Sequence, residues 1–180
     1  MLRSTFAATA LLTAVGTQAA CPDYLNQDMR KLHSKETVNL CEISDGKPVL
    51  IINTASHCGY TKQFKGLEAL NQQYGEKGLQ IIGFASNDFR QEAKDEEKAA
   101  EVCYVNYGVT FTMIAPSHVK GDDANPVFQE LARQTQAPKW NFNKYLVDGS
   151  GKVVQQYGSN TTPDSKVLAE AIESVLPADS

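Results

Sequence analysis

The sequence has no apolar run near the roughly 20 residues that a membrane-spanning helix needs. It has no two cysteines separated by two residues, so the usual motif of a disulfide-exchange enzyme is missing. Histidine and cysteine form no group at metal-ligand spacing; His57-Cys58 is the only close pair, and His33 and His118 stand alone. Excess charge is small: 17 basic against 21 acidic residues leave −4, which draws the chain to neither nucleic acid nor anionic lipid. Twelve glycines and seven prolines are too few for a linker-dominated chain, and no repeat or low-complexity tract occurs. What is present is globular: 42% hydrophobic and 21% charged residues in a chain of 180, enough for one core and too few for two.

Residues 1–20 read as a secretory signal peptide, and 21–180 as a single domain. Arg3 supplies the basic start, Phe6 to Val15 is apolar apart from two threonines, and Gly16 to Ala20 is small. No charge falls between Arg3 and Asp23, which disfavours an amphipathic helix; cleavage is expected after Ala19 or Ala20. Cys21 would then allow a lipoprotein, but Gln18 stands where such signals carry leucine, so a periplasmic or secreted location ranks above lipid attachment. Disulfides persist in that setting. Four cysteines allow three pairings. Cys21 and Cys41 both precede the first core strand, and joining them closes a loop of about 20 residues, worth about 3 kcal/mol. Cys58 and Cys103 remain.

The run Val49-Leu50-Ile51-Ile52-Asn53 after the turn Asp45-Gly46-Lys47-Pro48 reads as a buried strand. Thr61 is a candidate helix cap. Phe64, Leu67, Leu70 and Tyr74 follow at helical spacing, and Leu79 to Phe84 reads as a second strand, completing a right-handed βαβ unit. Asp95 opens a helix that carries Val102, Cys103 and Tyr107, and Asn125-Pro126 opens another through Leu131. Tyr145 to Asp148 and Val153 to Gln155 flank a hairpin turn. Thr162-Pro163 starts a last helix with a stripe of Val167, Leu168, Ala171, Ile172, Val175 and Leu176. The order predicts an α/β thioredoxin-like fold, a mixed central sheet flanked by helices.

Cys58 lies where the first strand gives way to a helix, the edge at which open α/β sheets place their chemistry. Unpaired N–H groups and the positive helix end there favour thiolate over thiol. Most free cysteines are small buried hydrophobes, but this one sits on a polar, glycine-containing loop.

The segment Asn53 to Thr61 resembles the active-site segment of the glutathione peroxidases in their cysteine form. The resemblance continues through Gly83 to Phe89, Gly108 to Phe111, Gly121 to Pro126 and, most strongly, Trp140 to Asp148, covering about Asp45 to Leu176. It implies a thiol peroxidase that reduces hydrogen peroxide and organic or lipid hydroperoxides through a cysteine sulfenic acid. Cys58 would be the nucleophile, with the Trp140 indole and Asn141 amide as donors around it. At the family's glutamine stands Asp88, and an ionised carboxylate there would oppose a thiolate. Asp88 is therefore expected to be protonated, to point away or to carry a proton, with Asn87 or Gln91 available as the donor instead. Cys103 resembles the resolving cysteine of thioredoxin-dependent members; as a plain helix-face residue it has equal claim. No metal or other cofactor is implied, only a thiol co-substrate, glutathione or of thioredoxin type. The short stretch Gln134 to Lys139 suggests a monomer with an open site. The alternative is a non-catalytic redox-sensing or binding protein weakened by Asp88. A disulfide-exchange enzyme is disfavoured.

Overall fold

The computed structural model describes residues 21–177, so the expected signal peptide lies outside the described residues. A short hairpin of β1 (Asp28–Arg30) and β2 (Thr37–Asn39) leads into α1 (Leu40–Ser44). Then follow β3 (Val49–Thr54), α2 (Gln63–Tyr74), β4 (Gln80–Ala85) and α3 (Glu96–Ala100). α3 widens without interruption into a π-helical turn, Glu101–Asn106. β5 (Thr112–Ile114), α4 (Pro126–Gln134), β6 (Lys144–Val147), β7 (Val153–Tyr157) and α5 (Lys166–Val175) complete the chain. Among the described residues no helix is long and apolar enough to cross a membrane.

The central sheet runs β5-β4-β3-β6-β7. β3, β4 and β5 are parallel, and β6 and β7 are antiparallel, which is the mixed thioredoxin-like arrangement. β3 is buried along its whole length because both its faces are covered. Leu50 and Ile52 face α2, α5 and the π turn, through Phe64, Leu67, Leu168, Ile172 and Cys103. Val49 and Ile51 face the opposite layer, through Leu40, Val127, Phe128 and Leu131. On β4, Gly83 has no room for a side chain, since a Cβ there would overlap Met113 Sδ.

The βαβ unit and the 144–157 hairpin form as the sequence predicts. Asp95 caps α3 by accepting the N–H of Glu97 at 2.9 Å, and Asn125 caps α4 by accepting that of Phe128 at 3.1 Å. α4 runs past Leu131 to Gln134. Three expectations are corrected. Thr61 caps no helix; its hydroxyl is spent on the Cys58 loop. The last helix begins at Lys166 rather than Thr162, because Pro163 packs against Gly66 of α2 and the chain turns there first. Val167 is 56% exposed, outside the apolar stripe, leaving Leu168 and Ile172 as the buried pair.

Candidate active site

Asn53 organises the site. It is the one amide in β3, fully buried next to the strand's C-terminal end. Its Nδ2 donates to the Trp140 carbonyl at 3.0 Å, and its Oδ1 accepts the Asn143 N–H at 3.1 Å. Its carbonyl accepts the N–H of Phe142 at 2.7 Å. These bonds bring residues 140–143 to the end of the strand whose loop carries Cys58.

That loop is closed on itself. Thr61 Oγ1 accepts the Cys58 N–H at 3.0 Å and donates to the Ala55 carbonyl at 2.8 Å. The Tyr60 N–H points at Cys58 Sγ, 3.5 Å away. Cys58 is 8% exposed and packs in one cluster with Phe64, Phe142 and Cys103. The loop after β4 supports it from outside: the Gln91 carbonyl accepts the His57 N–H at 2.9 Å. Glu92 Oε1 takes the N–H of Ser56 at 3.1 Å and also its hydroxyl. Burial raises the Glu92 carboxyl above its ordinary range, although the bonds from Ser56 and Ala93 oppose it.

Asn141 is wholly buried, and its Nδ2 donates to Gln91 Oε1 at 3.1 Å. Its carbonyl accepts the Ser159 hydroxyl at 2.6 Å. Ser159 also accepts Asn143 Nδ2 at 3.2 Å, and its own carbonyl accepts Gln63 Nε2 at 2.7 Å, tying the start of α2 to the same segment. Phe142 adopts φ of 60°, a conformation costly for a bulky side chain. Two contacts hold it: its ring meets Phe64 edge to face at 5.2 Å, and the buried Lys144 ammonium donates to its carbonyl at 2.8 Å. Burial pushes Lys144 down to about 7. Trp140 is 40% exposed and its ring leans on Phe89 at 5.3 Å, with Lys120 Nζ over Phe89 at 4.4 Å.

Cys58, Trp140 and Asn141 therefore gather at one sheet end, linked through Asn53 and Gln91, and Sγ makes no hydrogen bond to either donor among the described residues. Asp88 is directed elsewhere. Its Oδ1 meets His118 Nδ1 at 2.7 Å, and its Oδ2 accepts the N–H groups of Val119 at 2.7 Å and Lys120 at 3.2 Å. Burial alone would raise this carboxyl; the bonds from Val119, His118 and Lys120 outweigh it and hold it below the ordinary range. Of the three expected outcomes for Asp88, its bonds to His118, Val119 and Lys120 fit the one in which it points away.

Cys103 is a buried free thiol on the π turn, pushed up to about 12 by burial first and the Glu92 charge second. Cys21 and Cys41 form a disulfide, Cα atoms 5.9 Å apart, as the sequence predicts. Sequence reasoning assigned no role to Asn53, Glu92 or Ser159. A lone amide in an apolar strand was a readable signal for Asn53; Ser159 carried none.

A buried free thiol just beyond the C-terminal end of a central strand, with segment 140–143 tied to that strand's end, is the arrangement of a thioredoxin-fold oxidoreductase. Residues 25–132 match the family model "Glutathione peroxidase". A glutathione peroxidase-like peroxiredoxin of Chlamydomonas reinhardtii is 51% identical over 140 residues, 74% of this chain and 85% of that protein. A hydroperoxy fatty acid reductase of Synechocystis is 40% identical over 144 residues, 73% of this chain and 84% of that one. The apo crystal structure of Trgpx superposes with a TM-score of 0.65 at 28% identity, covering 87% of this chain and all of that one. The chain belongs to the glutathione peroxidase family.

Proposed function

We propose that the protein is an exported thiol peroxidase whose oxidised group is Cys58. The sulfur attacks the terminal oxygen of R–O–O–H and the O–O bond breaks. Cys58 becomes a sulfenic acid, and the departing oxygen takes a proton and leaves as alcohol or water. The Cys103 thiol then displaces the hydroxyl, its proton going to the water released, and a Cys58–Cys103 disulfide forms. A dithiol of thioredoxin type, or two molecules of glutathione, returns both thiols. The observation that carries this reading is the set of Asn53 bonds, which joins Trp140–Asn143 to the strand leading into Cys58.

Orientation of Asp88 toward His118 removes the argument for a weakened, non-catalytic relative. The half-exposed Trp140 and Phe89 rings favour organic as well as hydrogen peroxide, in keeping with the fatty-acid hydroperoxide named for the Synechocystis relative. The Cys21–Cys41 disulfide supports export, and a sulfur in that bond is closed to acylation, which favours plain secretion over a lipoprotein. The short connection between α4 and Trp140 supports a monomer.

The test is peroxide consumption with a supplied thiol reductant. The wild type is expected to turn over and Cys58→Ser to fall to the buffer rate; equal rates defeat the reading. After one equivalent of peroxide the intact mass should drop by two hydrogens. Gain of one oxygen with Cys103 still alkylatable would remove the resolving step alone.

A further inference from the structure

We propose that Gln91 is a positioning residue of this site: its side-chain amide holds the Asn141 amide in place against the Cys58 loop. The inference rests on the reading of Cys58 given above. Asn141 is fully buried, and the bond from its Nδ2 to Gln91 Oε1 at 3.1 Å is the only one its side chain makes among the described residues. Its Oδ1 is buried and unpartnered. An amide with one anchor is oriented by that anchor. The two ends of an amide are alike in shape. If both amides turn end for end, Gln91 Nε2 donates to Asn141 Oδ1 and the unpartnered atom becomes Asn141 Nδ2, a donor; the clamp is the same pair either way.

Gln91 is itself fixed relative to Cys58. Its carbonyl takes the N–H of His57, the neighbouring residue, at 2.9 Å. Backbone strain brackets the contact: Arg90, just before Gln91, has φ of 58°, and Phe142, just after Asn141, has φ of 60°. Non-glycine residues hold such angles where surrounding structure imposes them. The other polar candidates are spent. Asp88 has both oxygens committed to the 118–120 segment. Asn87 is exposed, and its Oδ1 accepts the Glu92 N–H at 3.2 Å.

The experiment compares the second-order rate of Cys58 oxidation by hydrogen peroxide with its rate of alkylation by iodoacetamide. It uses wild type, Gln91→Met, Asn141→Ala and the double variant, with Cys58→Ser as the blank. Methionine keeps the length of the side chain and removes the amide. Gln91→Met is expected to slow oxidation about tenfold, about 1.4 kcal/mol, and to leave alkylation unchanged, because only the peroxide reaction needs an oriented donor. In the Asn141→Ala background the same change should add nothing, since Gln91 acts through Asn141. Wild-type oxidation in Gln91→Met, or an additive loss in the double variant, overturns the inference. Should Gln91→Met not fold, the wild type decides by NMR. Slowly exchanging side-chain amide protons on Asn141 or Gln91, with cross-peaks between the two side chains, sustain the clamp, and their absence from both overturns it. If the wild type reacts no faster than Cys58→Ser, the peroxidase reading itself fails and takes this inference with it.

Discussion

Asp88 shows how one side chain's direction decides its meaning. Facing the sulfur, its charge would oppose a thiolate. Facing His118, it fastens the 118–120 segment to the loop that carries Gln91 and Glu92. The pair shifts both partners: the hydrogen bond and charge of Asp88 raise His118, while three donors lower Asp88 against the effect of its burial. The lowered Asp88 contributes stability above its unfolded value of about 3.9, lost as pH falls through the lower folded value. The raised His118 contributes below about 6.5, lost as pH rises through its higher folded value. The clamp is therefore at full strength between about pH 4 and 6.5. In an NMR titration Asp88→Asn should bring the His118 midpoint down toward that of an ordinary imidazole. An unchanged midpoint would show that His118 owes its shift to something else. Cys58 drew notice in the sequence by its place after the first strand, and Trp140 and Asn141 only because their segment resembles the glutathione peroxidases. The direction of Asp88 was not legible, because its partners lie thirty residues further on and only the folded loops bring them together.

At the scale of elements the π turn at Glu101–Asn106 holds the interest. It continues α3 with a wider, less stable hydrogen-bond pattern and places Cys103 inside the core. Cys58 lies on a different element, in the loop before α2, and if Cys103 resolves its sulfenic acid as proposed, the bond between them would draw on opening of this turn. A weak turn makes that opening cheaper than unwinding a regular helix. Amides of residues 101–107 should exchange hydrogen faster than those of α2 in the reduced protein, and faster still after one equivalent of peroxide, with β3 unchanged. In Cys103→Ser the oxidation-dependent change should vanish. A π turn that stays protected in the oxidised wild type would end the resolving role. The sequence revealed the helix here but not its widening, which leaves no mark in residue pattern. β1, β2 and β5 were also illegible: each has three residues, too few for an alternation, and β1 is Asp28-Met29-Arg30. β3, β4 and the β6–β7 hairpin were legible because buried strands are continuous apolar runs and the turn between them is rich in glycine.

Across the whole molecule the two cysteine pairs sit at opposite ends of β3. Cys41 lies in α1, ahead of the strand's start, and Cys58 lies beyond its end; six residues of strand separate them by roughly 20 Å. The pairs have different physical tasks. The Cys21–Cys41 bond fastens the first described residues to α1, whose Leu40 packs under the sheet with Leu25. Its contribution comes from restricting the unfolded chain and amounts to about 3 kcal/mol for a loop of this length. Cys58 and Cys103 share the cluster on the opposite face of the sheet and contribute packing in the reduced state. Separation of this kind predicts independence. Cys41→Ser should lower the melting temperature, with a loss of about 2–4 kcal/mol in denaturant unfolding, while the rate constant for Cys58 oxidation stays at the wild-type value. Thiol titration after denaturation would confirm that the variant lacks the bond. A fall in peroxide rate comparable to the fall in stability would mean that strain at α1 reaches the Cys58 loop through β3, and that the disulfide tunes the reactive end as well as holding the far one.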